Sequence, residues 1–148
     1  MLQKLLATDK DVTPLILRLT LGLVMFPHGA QKVLGWFGGG GFKATLQGMT
    51  GMGLPAAIVV TVMIAEFLGS LGLIFGFLTR LSVLGVIGVM LGAIFTVHAQ
   101  YGFFMNWMGN QVGEGFEYHL LAIGLGLALL IRGAGAFSID RVIGGRKK

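Results

Sequence analysis

The stretch Leu54 to Thr79, LPAAIVVTVMIAEFLGSLGLIFGFLT, constrains this chain more than any other. It is nearly all apolar and longer than the roughly 20 residues a helix needs to cross a bilayer. One carboxylate, Glu66, sits at its middle. An ionisable group at that depth costs about 2.5–3.5 kcal/mol on insertion scales. The aliphatic flanks can carry that cost, but Glu66 is expected to face protein or water rather than lipid. What Glu66 faces is therefore the main question about function.

The rest of the chain has the same character. Of 148 residues, 55% are hydrophobic and 11% charged, which points to a membrane protein of one domain, residues 1–148. There is no cysteine, so disulfides, thiolate metal sites, iron–sulfur ligation and thiol nucleophiles are excluded. The net charge is +5, but the basic residues flank apolar segments or lie within them. No basic stripe marks a soluble face, so no nucleic-acid partner is expected. Asp9, Lys10 and Asp11 precede a long apolar run, so no cleaved signal peptide is expected.

The spacing predicts four spans, at about 14–35, 54–78, 81–100 and 116–131. The expected fold is all-α: an antiparallel four-helix transmembrane bundle packed through glycines. Thr13–Pro14 is a helix start, because proline fits the first turn. MLQKLLA is expected to form a helical turn with Leu2, Leu5 and Leu6 on the membrane surface. FKATLQGM has the spacing of a short interfacial helix. Gly72 with Gly76, and Gly88 with Gly92, are small-xxx-small pairs suited to close helix contact. Ser138 is a candidate N-cap, Asp140 is expected to serve the same helix start, and Arg80 and Arg141 to bind lipid phosphates. Lys4, Lys10, Arg80, Arg132, Arg141, Arg146, Lys147 and Lys148 gather on one side. By the positive-inside rule both termini are then cytoplasmic.

The polar residues converge once this topology is drawn. Arg18, Met25 and Lys32 are seven apart, and Gly22 and Gly29 share their stripe. His28 adjoins it. His98 closes the third span, and Glu117 and His119 open the fourth. Each span thus sends something ionisable toward the outer half of the bundle. A cup is expected there, with Glu66 as floor, His28, Lys32, His98, Glu117 and His119 as walls, and the aromatic 101–116 loop with Asn106 as lid. Glu66 and His28 are the candidate proton-handling pair. Arg18 or Lys32 would supply positive charge, although Arg18 also suits a snorkelling role. An apolar cup with a few polar groups suits a flat lipophilic headgroup such as a quinone. Glu117 and His119, two apart, do not share a helix face, and no metal site is expected. Glu114 reads as a solvated loop charge, and the tyrosines and tryptophans as interfacial anchors.

Three segments resemble the DoxX family. They are HGAQKVLGW, the Glu66-x-x-Gly69 … Gly76-Phe-Leu-Thr-Arg80 pattern, and GFFMNWMGN…GEGFEYHLLAIGLGLALLIRGAGAFSIDR. The resemblance covers most of the chain, and the last segment is the most specific. It implies a small four-helix protein of the bacterial inner membrane. Relatives of the DoxD type belong to a thiosulfate:quinone oxidoreductase, and others to complexes that handle thiol or oxidative stress.

The leading expectation is therefore a subunit of a quinone-linked membrane redox system. Catalytic roles fall to Glu66 and His28, and ligand binding to Arg18, Lys32, His98, Asn106, Glu117 and His119. No intrinsic cofactor is predicted, a quinone being the ligand class the cup suits. His28 and His98 as axial haem ligands is a lesser alternative. Expected partners are membrane lipids, partner redox subunits and, through the glycine faces, further copies of the chain. A non-catalytic accessory subunit and a small transporter or channel are the competing readings.

Overall fold

The computed structural model describes residues 2–144, and among them the regular structure is entirely helical. Arg146, Lys147 and Lys148, counted above for topology, lie outside the described residues. Helix α1 spans Leu2–Leu6, α2 Thr13–Val33, α3 Gly41–Gly51, α4 Ala56–Phe75 and α5 Thr79–Ala93. A π turn, Ile94–His98, and a 3-10 turn, Ala99–Tyr101, prolong α5. Helix α6 spans Glu117–Arg132 and α7 Ile139–Gly144. Proline stands in the first turn of α2, where its missing N–H costs nothing. The interfacial segment is helical as α3.

The long helices touch in a closed cycle: α2 packs on α4, α4 on α5, α5 on α6, and α6 back on α2. Leu21, Met25, Leu73, Val83, Val86, Met90, Ala122 and Leu129 form the core between them. The outward faces are equally apolar, with Ile16, Leu23, Ile64, Leu68, Leu84, Leu91, Leu121 and Ile131 exposed. Apolar surface on this scale is shielded by lipid or partners, not by water. Two segments, Ala56–Phe75 and Thr79–Tyr101, are long and apolar enough to cross a membrane.

Glycine brings the helices close at particular points. A methyl on Gly29 would lie 2.6 Å from the Phe67 backbone, so α2 and α4 cross there almost backbone to backbone. Gly72 packs against Ser82 of α5. Gly76 adopts φ +64° as the left-handed C-cap of α4, pressed against Ser138 and Arg18. The expected Gly88–Gly92 packing pair is corrected. A methyl at either would meet nothing within 4 Å, because α4 and α5 have separated by that height.

The end holding the described N-terminal lead, the α4–α5 turn and the C-terminal segment is closely stitched. Arg18, 1% exposed, donates to the carbonyls of Leu73, Ile74, Ala134, Ala136 and Phe137. It thus satisfies the open C-terminal carbonyls of α4 and holds the segment after α6. Arg80 donates to Leu130, Ile131, Leu5 and Ala7 carbonyls. The expectation that Arg80 serves lipid phosphates is corrected, since these bonds turn its guanidinium inward to cap α6. Asp140 stands in the first turn of α7 as expected, and its carboxylate also accepts from the N–H groups of Leu78 and Thr79, at 2.6 and 2.9 Å, capping α5. That bond helps hold Leu78 at φ +47°, where a residue with a side chain seldom sits. Ser138 caps α7, accepting from the Arg141 N–H. Leu6 is buried beside Gly144, not laid on a membrane surface.

Candidate functional site

The opposite end is built the other way. The Gly29 crossing sets the next turn of α2 against the middle of α4, and Lys32 Nζ lies 2.6 Å from Glu66 Oε2. Glu66 is 4% exposed, while the Lys32 side chain keeps 26% of its surface accessible. Glu66 therefore faces a lysine, and Lys32 rather than Arg18 is its partner.

The pair sits in the wall of a cavity of about 730 Å³. This is within the usual range for a small-molecule site. Of the residues expected from sequence, Glu66, His28, Lys32, His98 and His119 line it. Most of the remaining lining is apolar, from Met25, Met90, Val62 and Val89 among others. Along one side runs a row of rings. His28 lies 6.5 Å from Tyr118, Tyr118 lies 5.4 Å from His119, and His119 lies 4.1 Å from His98. His119 is buried, and its Nδ1 has no hydrogen-bond partner among the described residues. The π turn delays the helix phase after Ile94, so that His98 returns to the side of α5 facing α6. Its Nδ1 shares a 2.8 Å hydrogen bond with the Glu114 carbonyl.

Three expected site residues stand elsewhere. Arg18 is at the far end, its guanidinium committed to backbone carbonyls. Glu117 and Asn106 do not line the cavity but shape the loop over it. Glu117 Oε1 accepts from the Met105 N–H and from Trp107 Nε1, both at 3.0 Å. Asn106 closes a ring with Gln111 and donates its backbone N–H to Glu114 Oε2 at 2.6 Å. The loop thus held brings Met105 and Glu114 to the cavity. Glu114 is exposed, as expected of a solvated charge, and also borders the cavity.

Residues 13–99 match the family model for DoxX. The chain belongs to the DoxX family. It is 33% identical over 134 residues to the inner membrane protein YqjF of Escherichia coli (strain K12), across 90% of this chain and 94% of YqjF. It is 31% identical over 121 residues to the Bacillus subtilis (strain 168) protein named "Putative oxidoreductase CatD", across 80% of this chain and 79% of that one. No solved structure matches. This is therefore a helical membrane protein. The matched DoxX segment holds Arg18, His28, Lys32, Glu66 and His98, while Asn106, Glu117 and His119 follow it.

Sequence reading missed three contributors in this DoxX protein. Tyr118, taken as an interfacial anchor, lines the cavity and directs its hydroxyl at Met25 Sδ, 3.6 Å away. Its position between Glu117 and His119 was the available signal. Gly88 and Gly92, taken as packing residues, line the cavity instead. Nothing in their spacing separates an open glycine face from a packed one.

Proposed function

We propose that this DoxX protein is a quinone-linked redox subunit of the bacterial inner membrane. In this reading α2, α4, α5 and α6 are four antiparallel spans, both termini are cytoplasmic, and the cavity lies in the outer half. The observation that carries the reading is the Lys32–Glu66 ion pair set into an apolar cavity with three histidines around it. An ion pair so placed is retained at a desolvation cost, and in membrane proteins such groups mark ligand or proton paths. A quinone headgroup needs donors for its carbonyl oxygens and an apolar slot for its ring. Lys32 and the histidines are donors, and the surrounding methionines and valines form the slot. Glu66 and His28 would take or return the protons that accompany quinone chemistry, and Lys32 would hold the ring oxygen. The Bacillus relative's name supports redox chemistry of some kind, and the E. coli relative's name supports the inner membrane. No thiol chemistry falls to this chain, which lacks cysteine.

The test is the lipophilic content of gently purified protein, identified by mass spectrometry, with a visible absorption spectrum. A stoichiometric quinone, lost in Glu66→Gln and in His28→Ala, is the expected result. A Soret band would replace this reading with a haem protein. A colourless chain with no quinone that carries a partner protein would replace it with the accessory-subunit reading. Solute or proton flux through liposomes without bound quinone would do the same for a transporter.

A further inference from the structure

Helices α4 and α5 meet closely where Gly69 and Gly72 face Ser82, and Gly85 still touches Ala65. Beyond that point they part. Gly88 and Gly92 of α5 have no neighbour within 4 Å of where a methyl would stand, yet both line the cavity. Across from them, Ile58 and Thr61 of α4 also line it and are exposed. The cavity is therefore open sideways, through a slot between two helices whose outer faces carry Ile64, Leu68, Leu84 and Leu91. The interior end of the slot is polar. Glu66 and Lys32 meet there, and buried His119, whose Nδ1 lacks a partner, lines the same space.

We infer that the ligand of this cavity is a polar-headed molecule with a long hydrocarbon chain, seated through the α4–α5 slot. Its headgroup lies at Lys32, Glu66 and His119, and its chain crosses the bare backbone at Gly88 and Gly92 into the lipid. The inference deepens the quinone reading and rests on it for the headgroup. The geometry of the slot stands apart from the headgroup's identity. Glycine at two successive turns keeps the slot as wide as a methylene chain requires, and a side chain there would fill it. An apolar chain in the slot is favoured because its surface is covered by apolar side chains rather than water. A site built for the ring alone has no use for the opening.

The experiment compares three probes on the full chain in nanodiscs by equilibrium binding and native mass spectrometry. They are ubiquinone with a long isoprenoid tail, the same dimethoxy-methyl-benzoquinone ring without a tail, and phosphatidylethanolamine. The wild-type chain is expected to bind the long-tailed quinone at least about tenfold more tightly than the tail-less ring. Gly88→Leu and Gly92→Leu are expected to erase that preference while leaving the thermal midpoint unchanged, since each new side chain enters open space. Equal affinity for tailed and tail-less quinone would overturn the inference. Long-tailed binding that survives both leucine substitutions would overturn it too. A retained phospholipid in place of quinone, expelled by Gly88→Leu, would support the slot and overturn the quinone reading. If either variant melts early, Gly88→Ala provides the graded control, and an unchanged tail preference in a Gly88→Ala, Gly92→Ala double variant would also count against the slot.

Discussion

Arg18 and Glu66 are both almost inaccessible, at 1% and 4% exposed, yet they are buried on opposite terms. Arg18 gives its whole guanidinium to five backbone carbonyls drawn from the end of α4 and the segment after α6. Glu66 is held by one partially accessible lysine beside an open cavity. Around Arg18 the end of α4, the start of α5, the N-terminal lead and the segment after α6 converge. Asp140 caps α5, Arg80 caps α6, and the Thr8 hydroxyl takes the Gly135 N–H at 2.6 Å. Around Glu66 the helices diverge, a π turn interrupts α5, and the Nδ1 of His119 is left without a partner. One end spends its polar groups on joining the chain to itself. The other keeps them available to something else.

The largest effect expected from this contrast is at Arg18. Arg18→Met strips donors from five carbonyls, those of Leu73, Ala134 and Ala136 in buried bonds, and a loss on the order of 3–5 kcal/mol follows from orphaning that network. Arg18→Lys should recover little, since an ammonium cannot span five acceptors. Thermal unfolding in mild detergent measures both. A wild-type midpoint in Arg18→Met would mean that this end is not held as described.

Gly29→Val is next. A side chain there meets the Phe67 backbone, and overpacking of this kind costs about 1–3 kcal/mol. Because the same crossing brings Lys32 to Glu66, the variant should lose quinone as well as stability. Stability lost with binding retained would separate the crossing from the site and weaken the account of how the ion pair is placed.

The smallest effect is at the arginine-bound end, at Asp11. Hydrogen bonds from the Thr13 backbone N–H and hydroxyl, with Arg132 nearby, hold its carboxyl below the ordinary aspartate range. A depressed carboxylate stabilises the fold above its unfolded pKa, and that contribution is lost as pH falls through the folded value. The midpoint should therefore drop below about pH 4, and Asp11→Asn should flatten part of that drop. Identical pH profiles for the two proteins would remove Asp11 from the account.

Much of this architecture is legible in the residues. Apolar runs of bilayer length mark α4 and α5, Pro14 and Ser138 mark starts, and five of the eight expected site residues line one cavity. The heptad step from Met25 to Lys32 and the four-residue step from His28 to Lys32 already place those side chains together. What sequence does not carry is pairing across the chain. Arg18 reads equally as a snorkelling cation, a site cation or a partner for Glu66, because its carbonyl acceptors are 55 to 119 residues away. Asp140 caps a helix start 61 residues earlier. The two glycine pairs look alike along the chain. Only the separation of α4 from α5 makes Gly72 a contact and Gly92 an opening.

Glu66→Gln separates a site carboxylate from a scaffold carboxylate, with thermal midpoint and long-tailed quinone binding measured on the same preparation. The substitution keeps the size of the side chain and removes its charge, leaving Lys32 with accessible surface of its own. The expected result is a midpoint close to wild type and binding reduced by at least about tenfold. A midpoint that collapses like that of Arg18→Met, with quinone bound as before, would show that Glu66 belongs to the scaffold and not to the site.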